Sequence, residues 1–480
     1  MAKKQQEFVQ HITPRSEDFA QWYTDVILQS DLVDYAPVRG CMIIKPYGYG
    51  IWELIQQELD GRFKKTGHKN VYFPMLIPES LLLKEAEHVE GFAPEVAWVT
   101  QGGTEQLAER LAVRPTSETL FCTMFSKWVQ SWRDLPMKYN QWCSVMRWEK
   151  STRPFLRTSE FLWQEGHTIH ETPEEAQEET LLMLEVYREF AENALALPVF
   201  VGQKSDKEKF AGARATYSME AMMQDGKALQ AGTTHNFGTN FAEAYEIQYL
   251  SKEGKLEYVH ETSWGVSTRL IGAIIMTHGD ERGLRLPPKV APIQVVILPI
   301  AQHKPGVLEK AAEVKKVLED AGLRVELDDR DTVSAGWKFN EWELKGVPVR
   351  LEIGPRDIEN GVAMSVRRDT FEKKEIALDG IAGEVARLLE DVHDTLYAQA
   401  KAFRDARIKN VTNMEELESA VQNGFARAAW CGERACEDAI KEKMNATSRN
   451  MPFDQKDFPS ETCVCCGKKA QKLMFFAKAY

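Results

Sequence analysis

The 480-residue sequence has no apolar run approaching the roughly 20 residues that cross a bilayer, which excludes an integral membrane protein of the helical kind. Its first residues, MAKKQQEFVQHITPRSED, lack the apolar core of a secretion signal. They also carry acids that a transit peptide avoids, so a cytoplasmic location is expected. Glycine (30) and proline (20) are sparse and without period, which excludes a collagen-like chain and leaves no low-complexity linker. Eight cysteines are too few for a disulfide scaffold of this length. Basic residues are outnumbered, 60 Lys and Arg against 72 Asp and Glu, for a formal charge of −12. As a global figure that argues against a nucleic-acid partner, although net charge is silent about distribution. What is present, 43% hydrophobic and 28% charged residues, is an ordinary globular mix, and the length calls for two to four domains.

Residues 16 to 27 have helical periodicity, with Ser16 as cap and Phe19, Trp22, Tyr23, Val26 and Ile27 on one face. A second helix carries Ile51, Leu54, Ile55, Leu59 and Phe63 and closes at Thr66-Gly67. The run Val71 to Pro74, followed by Leu76-Ile77-Pro78, reads as an edge or interface strand, because proline cannot donate to a ladder. Residues 139 to 167 suit two long strands joined by a loop at Ser151-Thr-Arg-Pro154. Thr172-Pro173-Glu174-Glu175 is a capping box that opens a helix to about Ala194. Further strand-like sequence lies at Glu243 to Tyr249 and Tyr258 to Val266, without βαβ alternation, so this region is α+β with a mainly antiparallel sheet. At Leu286-Pro287-Pro288 the pattern changes. Strands at 293–300, 323–327, 347–353 and 362–367, with helices at 307–321, 337–344 and 380–400, make a separate α/β domain.

Cys41, Cys122 and Cys143 sit among apolar neighbours as core thiols. Cys431, Cys436, Cys463, Cys465 and Cys466 crowd into the last fifty residues. Cys431-x4-Cys436 and Cys463-x2-Cys466 offer four thiolates, the donor set of a closed structural Zn²⁺ site. Five structural or reactive thiols without metal are the competing reading, and a Cys463/Cys465 pairing stays open beside Cys463/Cys466.

Arg147-Trp-Glu149, a short loop, and then Phe155-Leu-Arg157-Thr158-Ser-Glu-Phe161-Leu-Trp163-Gln-Glu165-Gly-His167 bring arginines, carboxylates and aromatics together. On paired strands alternate residues share a face, so Arg147 and Glu149 would meet Arg157, Phe161, Trp163 and Glu165 at one cleft. Guanidinium forks suit phosphate, an aromatic face suits an adenine base, and a carboxylate can accept from an exocyclic amine. A solvated ion-pair face on an antiparallel sheet accounts for the spacing equally well.

Arg-x-Glu, a variable loop and Arg-x-x-x-Phe-x-x-x-Glu resemble motif 2 of class II aminoacyl-tRNA synthetases. The helix ending at Phe63 with the proline-bearing strand at Pro74 is similar to motif 1, and Gly265-Val-Ser-Thr-Arg269 with the apolar run to Met276 is similar to motif 3. Arg114-Pro-Thr116-Ser-Glu118-Thr119, Phe161-Leu-Trp-Gln-Glu-Gly-His167, Glu208-Lys-Phe-Ala-Gly212, Gly336-Trp-Lys-Phe-Asn340 and Glu343-Leu-Lys-Gly-Val-Pro348 narrow the resemblance to prolyl-tRNA synthetases. The form resembled is the archaeal and eukaryotic-like one, with a zinc-binding C-terminal extension and a terminal tyrosine, here Tyr480. The large editing insertion of the other form has no room in the fewer than about a hundred residues between His167 and Gly265.

The resemblance implies an α+β chain in three parts: a class II catalytic domain with an antiparallel sheet at 1–286, an α/β anticodon-binding domain at 287–403, and a small α+β zinc-binding domain at 404–480. It implies activation of L-proline by ATP with Mg²⁺, transfer to the 3′ end of tRNA(Pro), a structural Zn²⁺ and a homodimer. By the same resemblance Arg147 and Arg269 act on the reacting groups. Arg147, Glu149, Arg157, Thr158, Phe161, Gln230, Thr233, Ser267 and Arg269 hold ATP, while Thr116, Glu118, Arg147, Trp163, Glu165 and His235 hold proline. Lys338, Lys345, Arg350 and Glu352 are anticodon candidates, and Cys431, Cys436, Cys463 and Cys466 are metal ligands. The alternatives are another class IIa synthetase, for threonine, serine or glycine, a synthetase-like tRNA-binding regulatory protein, or a tRNA-independent amino-acid adenylating enzyme. With tRNA as substrate, −12 implies local basic patches, and the acidic excess lies on faces turned away from RNA.

Overall fold

A computed structural model describes residues 12–88 and 96–480; the segment through residue 11, on which the leader expectation rests, lies outside the described residues. The first helix is Phe19–Gln29, and its cap is Asp18 rather than Ser16: the Asp18 carboxylate accepts from the amides of Ala20 and Gln21. Both amides meet one oxygen of that carboxylate, which satisfies two orphan donors of the first turn. The second helix, Pro46–Lys65, begins five residues before the apolar stripe, with proline at its first turn.

The centre of the first domain is an eight-stranded sheet. Its spatial order is Met451–Pro452, Val199–Gln203, Ala215–Met222, Ala228–Gly238, His260–Ser267, Glu160–His170, Met137–Met146 and Lys69–Asn70. Every pairing is antiparallel except the last. Helices Phe19–Gln29, Pro46–Lys65, Pro173–Leu195 and Arg269–His278 bury one face with Trp22, Phe63, Tyr187 and Ile274. Gly166 permits that packing, since a Cβ there would lie 2.1 Å from the Trp264 ring. The opposite face is only partly covered, by Glu118–Trp128 and Asn240–Tyr245 around Phe121, Phe125 and Tyr245.

Three local expectations change. Val71 to Pro74 forms no strand, although the Val71 amide donates to the Asn140 carbonyl at 2.8 Å. Glu243 is helical: its amide donates to the Thr239 carbonyl at 2.8 Å, opening the helix Asn240–Tyr245, and its carboxylate accepts from the Thr239 hydroxyl at 2.6 Å. At Thr172 the hydroxyl caps Glu175 N (3.2 Å), but the Glu175 carboxylate returns to the Glu171 amide, not that of Thr172.

The second domain is a mixed five-stranded sheet, ordered Val325–Leu327, Val295–Pro299, Val349–Ile353, Val362–Arg367 and Lys373–Ala377. Helices Val307–Asp320 and Ile381–Asp405 cover one face. It docks on the first through Arg368, which grips Asp280 at 2.7 and 2.6 Å, and through the Leu284 amide on the Leu344 carbonyl (2.9 Å). Helix Ile381–Asp405 runs into the third unit, a four-stranded sheet ordered Ile408–Val411, Phe425–Trp430, Lys472–Ala477 and Thr447–Ser448. This last unit also lends Met451–Pro452 to the edge of the catalytic sheet.

Candidate active site

Strand alternation builds the site. On Glu160–His170 the even residues Leu162, Gln164 and Gly166 turn to the helices, so Trp163, Glu165 and His167 turn to the open face. Register then lines up a floor: Ser267 opposite Trp163, Gly265 opposite Glu165, Ser263 opposite His167, then Thr233 and His235, then Thr216. With Thr116, Glu118, Arg147 and Gln230 these residues, Ser267 excepted, bound a cavity of about 220 Å³.

Its inner wall is a satisfied polar cluster. Glu165 accepts from the Ser117 amide (3.1 Å), Gln141 Nε2 (2.8 Å) and the Ser117 hydroxyl, and pairs with His167 Nε2 at 3.0 Å. Burial opposes its charge, but the bonds from His167, Ser117 and Gln141 hold its carboxyl below the usual range. Glu118, which accepts from the Thr116 hydroxyl, is raised by burial and by repulsion from Glu165 despite His167 nearby. His235, between Thr216 (2.9 Å) and Thr233 (3.1 Å), is driven down to about 3 by burial and by His167 and Lys204, so it lines the cavity as a neutral ring.

The outer end is cationic. Arg147, Glu149, Arg157 and Thr158 lie in the loop between the paired strands, not on the strands themselves; both strands end first, at Met146 and Glu160. Pairing persists for one more bond, Arg147 N to Ser159 O at 2.8 Å. Arg147 Nε donates to the Pro115 carbonyl (3.0 Å), which aims the guanidinium over the rings of Phe161 (5.4 Å) and Trp163 (5.5 Å). Arg157 lies 4.0 Å from Glu149. Thr158 is buried, its hydroxyl donating to the Glu160 carbonyl at 2.6 Å. Arg269 donates to the Leu156 carbonyl (3.0 Å) and Gln230 carbonyl (3.4 Å), and Ser267 Oγ caps its amide at 3.2 Å. Burial and the charges of Arg157 and Arg147 pull Arg269 down to about 10, still a cation at neutral pH. Three guanidiniums crowded in this way make a seat for a polyanion.

Lys204, Phe210, Thr216 and Ser263 line the same cavity and escaped sequence reasoning. Phe210 falls inside the quoted Glu208–Gly212 segment; no local signal marks the others.

The anticodon candidates are placed differently. Lys338 is buried and donates to the Asp328 carbonyl at 2.8 Å. Arg350 is buried against Phe339 between Glu343 and Glu352, each at 3.0 Å. Both are engaged inside the domain. Lys345 is nearer the surface, 3.2 Å from Glu341 and 5.0 Å from the Trp342 ring. The sulfurs of Cys431, Cys436, Cys463 and Cys466 lie within 4.8 Å of one another, and Cys465 stands outside that group. Two of the separations, 3.6 and 3.7 Å, suit a tetrahedral ion with thiolates at ~2.3 Å.

Comparison with known proteins matches residues 98–278 to the tRNA synthetase class II core domain (G, H, P, S and T), 294–388 to an anticodon binding domain, and 414–480 to the prolyl-tRNA synthetase C-terminal domain. The chain is 64% identical to the proline–tRNA ligase of Alkaliphilus oremlandii, with all of both chains covered. It is 63% identical to the proline–tRNA ligase of Acetoanaerobium sticklandii, again over the whole of both. It is also similar to the crystal structure of prolyl-tRNA synthetase from Cryptosporidium parvum complexed with halofuginone and AMPPNP. That match has a TM-score of 0.94 and 42% identity, covering 98% of this chain and 99% of that one.

Proposed function

The chain belongs to the prolyl-tRNA synthetases, enzymes that join L-proline to tRNA at the expense of ATP, and on that premise we propose how its residues divide the work. The observation that carries the assignment is the cavity with acids, a neutral histidine and Arg147 on its wall, beside which the charges of Arg157 and Arg269 gather.

Proline sits at the inner end. Its secondary ammonium pairs with Glu118 beside Thr116, and its ring lies against Trp163 with Glu165 and His235 closing the wall. Arg147 holds the carboxylate against the α-phosphate. ATP lies outward: adenine between Phe161 and Arg269 with Glu149 and Thr158 at its edge, the γ-phosphate toward Arg157, and Mg²⁺ with the phosphates near Gln230 and Thr233. Ser267 orients Arg269 through the amide it caps. The carboxylate oxygen attacks the α-phosphorus in line, pyrophosphate leaves, and the terminal ribose hydroxyl of tRNA then attacks the activated carbonyl. No side chain acts as nucleophile, so the protein contributes positioning and charge stabilisation. Removal of one such contact costs roughly 3 to 4 kcal/mol, by analogy with a lost oxyanion donor.

Residues 287–403 receive the anticodon, with Lys345 and Glu352 as the candidates nearest solvent. The four thiolates hold a structural Zn²⁺, and no chemical step runs through it. Exposed Tyr35, Val38, Ile43, Tyr49, Tyr72 and Met75 around helix Pro46–Lys65 support a homodimer. Among the described residues no helix is long and apolar enough to cross a membrane, and the reaction belongs in the cytoplasm.

Proline-dependent ATP–pyrophosphate exchange over all twenty amino acids tests the reading. Proline alone should support it, and Arg147→Ala should abolish it in a folded protein; near-normal exchange by that variant overturns the site.

A further inference from the structure

The residue following the strand Val199–Gln203, second from the edge of the catalytic sheet, is Lys204, and its setting is unusual. The side chain is 3% exposed and lines the cavity, and Nζ has one acceptor among the described residues, Glu220 Oε1 at 3.1 Å. An ammonium carries three N–H donors, so two are left without acceptors at a buried site facing the cavity. Glu220 is fully buried, opposite Gln230 in register, and its other oxygen is held by Arg449 at 2.8 Å. One carboxylate thus faces two cations. Glu208, which lines the cavity too, attracts Lys204 at longer range but makes no ion pair with it among the described residues.

Arg449 comes from the C-terminal unit, and it is fixed there. Asn450 donates to the carbonyls of Phe200 and Ser218 (3.3 Å each), and Met451 pairs with Gln203, next to Lys204. Gly202 allows this approach, since a Cβ would lie 2.1 Å from the Met451 carbonyl.

We infer that Lys204 is a further substrate-contacting residue, donating its free N–H groups to an anionic oxygen of the bound substrates, and that Arg449 is a positioning residue acting on it through Glu220. The inference rests on the cavity being the proline and ATP site. The shared ligand chemistry is an anionic oxygen, from the amino-acid carboxylate or from phosphate.

ATP–pyrophosphate exchange by the full chain, with proline, ATP and pyrophosphate varied in turn, separates these sources. Lys204→Met should lower kcat/KM at least tenfold. A rise in KM for proline assigns the carboxylate, and a rise for ATP and pyrophosphate assigns phosphate. Arg449→Met should shift the same parameter by a smaller factor, with Arg449→Lys restoring it, which a merely structural role would not do. Should Lys204→Met fail to fold, Lys204→Met with Glu220→Gln removes the pair together and is compared with Glu220→Gln alone. Exchange within twofold of the parent for all three substrates overturns the inference. Arg147→Ala run in parallel keeps the two readings apart: normal exchange there defeats the site assignment, whereas its loss beside a normal Lys204→Met defeats only the role of Lys204.

Discussion

Glu118 and Glu165 face one cavity from adjoining elements, and their shared wall drives their acidities apart. Four polar contacts, from Ser117 (two), Gln141 and His167, keep Glu165 ionised in spite of burial. Glu118, with the Thr116 hydroxyl as its side-chain donor, is pushed up by burial and by the charge on Glu165. Divergent environments of this kind separate a fixed charge from a titrating one.

Glu118 therefore supplies the acid limb of proline recognition. As pH rises through its raised pKa the carboxylate forms and pairs with the ammonium, so kcat/KM for proline climbs. Glu118→Gln should lose that limb and lower kcat/KM by roughly 10- to 150-fold, the range of a charged hydrogen bond. Glu165→Gln should instead lower the melting temperature, because it disrupts a buried network. A pH profile of Glu118→Gln that superimposes on the parent would remove Glu118 from this role.

Glu261 lies on the same strand as Ser263, buried, with Oε2 lacking a partner among the described residues and Oε1 only 3.5 Å from the Cys122 thiol. Burial pushes it up to about 8. Between about pH 4.5 and 8 the folded chain holds this proton while the unfolded chain releases it, so stability on its account falls as pH rises. Glu261→Gln should then gain about 2 to 4 kcal/mol relative to the parent on going from pH 5 to pH 8. Denaturant melts at both pH values measure it, and a pH-independent difference between the two proteins contradicts it.

Why the sequence led to the cavity but not to all of it follows from distance along the chain. Trp163 and Glu165 alternate on one strand, and period-2 spacing places them on one face without further information. Thr116, Glu118 and His235 rest on resemblance, because their convergence depends on sheet order. Lys204 meets Glu220, and Glu220 meets Arg449 across 229 residues, with a strand of the C-terminal unit entering the catalytic sheet, and no local periodicity reports that. Lys338 and Arg350 are the mirror case. Charged residues suggest surface, yet Asp328, Glu343 and Glu352 draw these two inward.

The cysteine cluster makes a separable prediction. Elemental analysis should find about one zinc per chain, consistent with a closed four-thiolate site. Cys436→Ser should lose the metal and lower the melting temperature by several degrees. Cys465→Ser should keep it, because Cys465 stands outside the four-sulfur group. Exchange activity should fall together with metal loss, since Met451–Pro452 and Arg449 tie this unit to the catalytic sheet. Equal zinc in both variants would move the fourth ligand.

Lys345 is the anticodon candidate whose loss leaves the fold in place. Tyr47 is tied to it through the Lys345 backbone carbonyl (2.9 Å), a bond that alanine retains. The ammonium, by contrast, rests on Glu341 and the Trp342 ring near the surface, where a pair contributes about 1 kcal/mol or less. If that ammonium meets a tRNA phosphate, Lys345→Ala should raise the KM for tRNA roughly three- to tenfold and flatten the logarithmic salt dependence of tRNA binding by about 1. Proline-dependent exchange should be unchanged, since the cavity is built without it. Lys338→Met offers the contrast: it removes a buried ammonium that donates to the Asp328 carbonyl (2.8 Å) and pairs with the Asp328 carboxylate, so charging and melting temperature should fall together. A Lys345→Ala enzyme with unaltered KM and salt slope would take Lys345 off the RNA-facing surface.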